Sequence, residues 1–154
     1  MKRKTILTLL SLVTLPLTLI AIASPFHQWR QHTFCRASWL GKTNTMKILF
    51  AVGANVRECS AAYVNPMVAA SESGNPAAID FLLKHGANVN QADGNGLTPL
   101  MYVAGAGQIS SVRVLISKGA DVNAVGRFGS ASTIATRTNH PEIVALLKDA
   151  GTKR

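Results

Sequence analysis

Apolar residues along this chain recur in two registers. Over a short window they fall at helical spacing: Ile109, Val112, Leu115 and Ile116 make one face of a helix. Over a longer distance that face returns, with Leu49, Leu82, Leu115 and Leu147 in one column and Met46, Ile79, Val112 and Val144 in another. A third column holds Phe50, Leu83 and Ile116 but ends in Lys148, as suits a last unit whose outer face meets water. The steps are 33 positions, shortening to 32 at the end. A period of this length predicts a solenoid of stacked units, none able to bury its apolar face alone.

Polar and special residues punctuate the same period. Thr98-Pro99 predicts a capped helix start with proline at the first helical position, and Asn65-Pro66, Asn75-Pro76 and His140-Pro141 repeat the device. The first helix of the best unit ends near Gly105–Gly107, and Gly41 and Gly74 fall in register with Gly107. Gly53, Gly86 and Gly119 close the second helices and open similar phrases: GANVR, GANVN and GADVN. Between phrase and next helix, Asp93-Gly94-Asn95-Gly96 carries turn chemistry.

With T-P-L at 98–100, a mid-unit glycine and a closing GADVN, the chain resembles the ankyrin repeat. The resemblance implies an all-α solenoid of about four helix–turn–helix units joined by hairpin-like turns, covering Gln31 to Thr152. The first unit is worn, with His32-Thr33-Phe34-Cys35 at its expected helix start, and the fourth has Ser130-Ala131-Ser132 in place of T-P-L. The expected divisions are residues 1–23 as a leader, 24–30 as an N-terminal cap segment and 31–154 as the repeat domain.

Composition changes this picture mainly at the front. Hydrophobic residues make up 47% of the chain against 15% charged. Part of that excess lies in residues 5–23, which hold no charge and follow Lys2, Arg3 and Lys4. Ala21-Ile22-Ala23 supplies small residues where a signal peptidase reads, so a secretory signal cleaved before Ser24 is expected. A retained inner-membrane anchor is the alternative. Either way the basic front stays cytoplasmic and the repeats face the periplasm. Cleavage removes three of 16 basic residues and none of 7 acidic ones, taking the net charge from +9 to +6. The remaining Lys and Arg are scattered, with no aromatic ladder among them, which argues against a nucleic-acid partner.

Candidate chemistry is sparse. Acidic residues are spread about one per unit and pair nowhere, the glycines lack the Lys-Ser or Lys-Thr of a phosphate loop, and Asp93–Gly96 lacks the ligands of a calcium loop. His27 and His32 have no ligand-spaced cysteine or carboxylate, so no metal is assigned and no cofactor is expected. Cys35 and Cys59 are the only two cysteines. In an oxidising compartment they are candidates for a disulfide stapling the worn first unit, or for two unpaired thiols. No catalysis is expected.

The resemblance also places binding on the turn tips and the exposed side of the first helices. Carried over residue by residue, it indicates Trp29 and Gln31, Trp39 and Leu40, Glu72 and Ser73, Asn95 and Leu97, Ala106, Arg127 and Phe128, and Arg137 and Thr138, with Ala61 and Val64. Trp39, Arg127, Phe128 and Arg137 are the expected anchors, since Trp and Arg often dominate interfaces; packing between first helices is the other reading of Trp39. Phe34 is expected to cap the open end of the stack. The partner would be another periplasmic protein, in one concrete form a toxin or hydrolase that this chain inhibits or confers immunity to. An accessory role in envelope or oxidative-stress defence, or a membrane-tethered scaffold, are the alternatives.

Overall fold

Short helices need defined ends, and this sequence writes them explicitly. In the structure, a computed structural model that describes residues 26–58 and 65–152, the helices are α1 (residues 26–39), α2 (Thr43–Ala51), α3 (Pro66–Ser73), α4 (Pro76–Lys84), α5 (Pro99–Gly105), α6 (Ile109–Ser117), α7 (Ala131–Arg137) and α8 (Pro141–Thr152). The side chain of Asn65 accepts from the Val68 N–H and that of Asn75 from Ala77 and Ala78, with proline next in both cases. Thr98 and Ser130 cap α5 and α7 in the same way, accepting from Met101 and Thr133.

First helices form one layer, α3 against α5 against α7, and second helices another, α2 to α4 to α6 to α8. This is an all-α repeat solenoid, and its core is the seam between the layers. Met46, Ile79, Val112, Leu82 and Leu115 are fully buried there, with Leu49 and Leu147 nearly so. Polar ties join successive units across that seam. Asn75 Nδ2 donates to the Gly41 carbonyl at 3.1 Å, and the buried Ser111 hydroxyl donates to the Gly74 carbonyl at 2.6 Å.

Gly74 closes α3 at φ 63°, and a Cβ there would run into the Gln108 side chain of the next unit. Gly107 is held likewise at φ 73°, against His140. The fourth unit has Asn139 at this position, at φ 60°, a conformation asparagine tolerates better than most residues.

Three sequence expectations need correction. Residues 26–39 form one unbroken helix, so no helix starts at His32–Cys35, and the proposed division between residues 30 and 31 falls inside α1. No glycine or proline occurs between Phe26 and Trp39 to end it. Cys35 therefore sits mid-helix. In the last unit Ile143, not Val144, is buried, at 1% exposure. Ile143 stands in register with Ala78 and Ser111, which are also fully buried, while Val144 is only partly buried but still packs against the core. Third, Gln31 is buried rather than available for binding. Its amide accepts from Asn55 N–H at 2.8 Å and donates to the Asn55 carbonyl at 2.7 Å, anchoring α1 to the loop after α2. Phe34 is fully buried, as expected of a residue closing the end of the stack.

The missing residue of the fourth unit can be located. Gly96 and Gly129, both at positive φ, are 33 apart, but the helix caps Thr98 and Ser130 are 32 apart. The counterpart of Leu97 is the one deleted. What remains is a tight hairpin, β1 (Val125–Gly126) and β2 (Gly129–Ser130), antiparallel with Val125 opposite Ser130 and Arg127-Phe128 at the tip.

Candidate functional site

The turn before α5 is built around one carboxylate. Asp93 Oδ1 accepts from the N–H groups of Asn95 and Leu97 at 2.9 and 2.8 Å, and Oδ2 accepts from the Tyr102 hydroxyl at 2.8 Å. Partial burial works to raise the Asp93 carboxyl. The bonds from Leu97, Tyr102 and Asn95 outweigh it and hold the group below the ordinary aspartate range. Burial, the bond to Asp93 and the charges of Asp93 and Glu72 together push the Tyr102 phenol well up. It therefore stays protonated and donating throughout the neutral range, locking the turn to α5.

The neighbouring hairpin leans on this turn. Arg127 N–H donates to the Asn95 carbonyl at 3.3 Å, and Gly126 lies so close that a Cβ would approach the Gly96 oxygen to 2.5 Å. The two tips are thus a single rigid edge, and below them a groove of about 500 Å³ opens between α5 and α7. Its walls are apolar: Leu97, Met101, Ile134 and the ring of Phe128, with the Tyr102 ring beside them. Gly105 forms part of the lining, where a Cβ would come within 2.9 Å of Ile134. Arg137 and Thr138 close the far side, the guanidinium reaching toward the Phe128 carbonyl at 3.5 Å. Arg127 lies over the Phe128 ring, 5.9 Å from its centroid.

Among the described residues neither arginine makes a salt bridge; the ion pairs there join Asp80 to Lys84 and Lys118, on second helices away from this groove. An apolar slot flanked by two such cations can hold an apolar side chain with a carboxylate close by.

The expected anchors separate into two places. Phe128 and Arg137 line the groove, Arg127 and Asn95 build its rim, and Glu72 acts on Tyr102 through its charge. Trp39 shares a register with Glu72, Gly105 and Arg137, but it and Trp29 are both on α1, 53% and 57% exposed. Trp39 thus keeps about half of its surface in solvent. Ala61, Val64 and Cys59 lie outside the described residues. The sequence reading missed Tyr102, Met101 and Ile134. Tyr102 and Ile134 share a first-helix column with Arg36 and Ala69, while Met101 lies one position off it.

Among the described residues no three His, Cys, Asp or Glu side chains gather as a metal site, and no helix is long and apolar enough to cross a membrane. The acid–base pair of this site is spent on shape. Because Asp93 is more acidic folded than unfolded, its contribution is complete above the ordinary aspartate value of about 3.9 and is lost as pH falls below that value through the lowered folded one. Thermal melts from pH 6 down to acid should show wild type losing a component of stability that Asp93→Asn lacks; superimposable profiles would contradict this role.

A comparison with curated proteins gives no match. The family described as ankyrin repeats (3 copies) matches residues 34–126, which spans α2 to α6 and reaches β1. The fourth helix pair, α7 and α8, extends the same stack beyond the match. By this match and by its helix pairs the chain belongs to the ankyrin-repeat family, whose arrays serve as protein–protein interaction modules and are typically not catalysts.

Proposed function

We propose that the protein acts in the periplasm as a non-catalytic binding module, gripping an extended segment of another protein in the α5–α7 groove. A specific form of this is an inhibitor or immunity protein that blocks a periplasmic toxin or hydrolase. The observation that carries the reading is the groove: apolar walls, a rim of turn and hairpin tied together by a hydrogen bond, and Arg127 and Arg137 without a carboxylate partner among the described residues. A rigid slot loses little conformational freedom on binding, which suits a tight blocking interaction.

Export is supported by the charge pattern of residues 1–23 and by the surroundings of Cys35. The Cys35 sulfur lies 3.7 Å from the carbonyl oxygen of Glu58, the residue before Cys59. A Cys35–Cys59 disulfide belongs to this proposal, joining α1 to the segment after α2. In the chain-entropy picture such a loop stabilises by roughly 3 kcal/mol. Protein from the envelope fraction should show no reactive thiol when denatured, and its melting temperature should drop on reduction; two titratable thiols would remove the staple from the account.

The functional test is capture and inhibition. Tagged chain recovered from an envelope extract should retain one dominant protein, lose it with Phe128→Ala, and suppress that protein's activity when added back in purified form. Capture of a partner whose activity is untouched would reject the inhibitor form and keep the binding module. Equal recovery by wild type and Phe128→Ala would reject the groove.

A further inference from the structure

The unit that begins the stack differs from the others in charge and in what it leaves uncovered. Residues 26–58 carry Arg30, Arg36, Lys42, Lys47 and Arg57 against Glu58 alone, a net charge of +4. Residues 65–152 carry six basic and six acidic side chains and are neutral. The same first unit exposes Phe26, Trp29, Leu40, Ile48 and Val52, Ile48 at 67%. Ile48 stands in register with Phe81 and Val114, which the preceding unit covers: Phe81 packs edge-on against Phe50 at 5.9 Å. Part of the patch is continuous: Phe26 stacks on Trp29 at 5.8 Å, and Arg30 lies over Phe26 while donating to the Val52 carbonyl at 2.8 Å.

We infer that this basic, apolar-studded end rests on an anionic lipid bilayer, its aromatic and aliphatic side chains in the headgroup region and Arg36, Lys42 and Lys47 among the phosphates. Aromatic residues that are apolar in body and polar at the tip favour that depth, and each basic residue near an anionic surface strengthens attachment by roughly fivefold. In the form that keeps residues 1–23, the sequence immediately upstream argues for lipid as the occupant. Nineteen uncharged residues, 5–23, end six positions before Trp29, a reach of at most roughly 22 Å. A second copy stacked end-on fits less well, because it would bring Lys148 to the place that Phe50 takes against Phe81 and set that charge against an already basic unit. The inference does not depend on what the α5–α7 groove binds.

The test uses the full chain carrying Trp39→Phe, so that Trp29 is its only indole, mixed with phosphatidylcholine vesicles with and without phosphatidylglycerol. With phosphatidylglycerol, Trp29 emission should move to shorter wavelength and iodide quenching should fall several-fold. Lys42→Glu with Lys47→Glu should weaken this binding by more than roughly tenfold without altering the melt. Emission that stays aqueous overturns the proposal. An equal shift on both vesicles that ignores the charge reversal also overturns it, assigning the effect to residues 5–23. A shift without vesicles that grows with protein concentration overturns it in favour of a second copy.

Discussion

Leu115→Ala lowers the free energy of unfolding by about 2–5 kcal/mol. Leu115 is fully buried at the centre of the stack, where α6 meets α4 on one side and α8 on the other. Truncating it removes apolar area and opens a cavity that two neighbouring units border. Because each unit is held only by its neighbours, a defect in unit three also loosens the attachment of unit four. Lys148→Ala, at the exposed end of the adjacent column, changes stability by less than about 0.5 kcal/mol. Denaturant unfolding followed by circular dichroism measures both. A loss below about 1 kcal/mol for Leu115→Ala would mean that the units do not depend on a shared seam.

Phe128→Ala combined with Arg137→Glu weakens partner binding by about 2–4 kcal/mol, roughly 30- to 1000-fold, with the melting transition nearly unchanged. The ring of Phe128 is a wall of the groove but is half exposed, so the fold loses little by its removal. Reversing the charge at Arg137 sets two like charges against each other if the bound segment carries a carboxylate. Titration calorimetry with the captured partner separates the two variants. If Arg137→Glu alone has no effect while Phe128→Ala does, the segment is apolar without the acidic companion.

Most of the solenoid was legible because its information is local and repeated. Asn75-Pro76 or Thr98-Pro99 specifies a helix start within a few residues, and Leu82 and Leu115 announce the seam by returning at the same step. The first unit was misread because its pattern is worn: nothing between Phe26 and Trp39 marks a boundary, and Gln31 looks like a surface residue until its amide is seen paired with Asn55. Val144 is less buried than Ile79 and Val112 because no described unit packs against its far side, which a register cannot state. At the groove, Phe128 and Arg137 were visible as large residues at turn and helix end. Tyr102 was not, since its part rests on a bond to Asp93 formed only when turn and helix meet.

Hydrogen–deuterium exchange on the complex with the captured partner reads out where the bound segment lies. The account predicts slowed exchange confined to residues 93–105 and 126–138, the two turns and first helices that frame the groove. Protection concentrated instead on α6 and α8, with those segments unchanged, would contradict it.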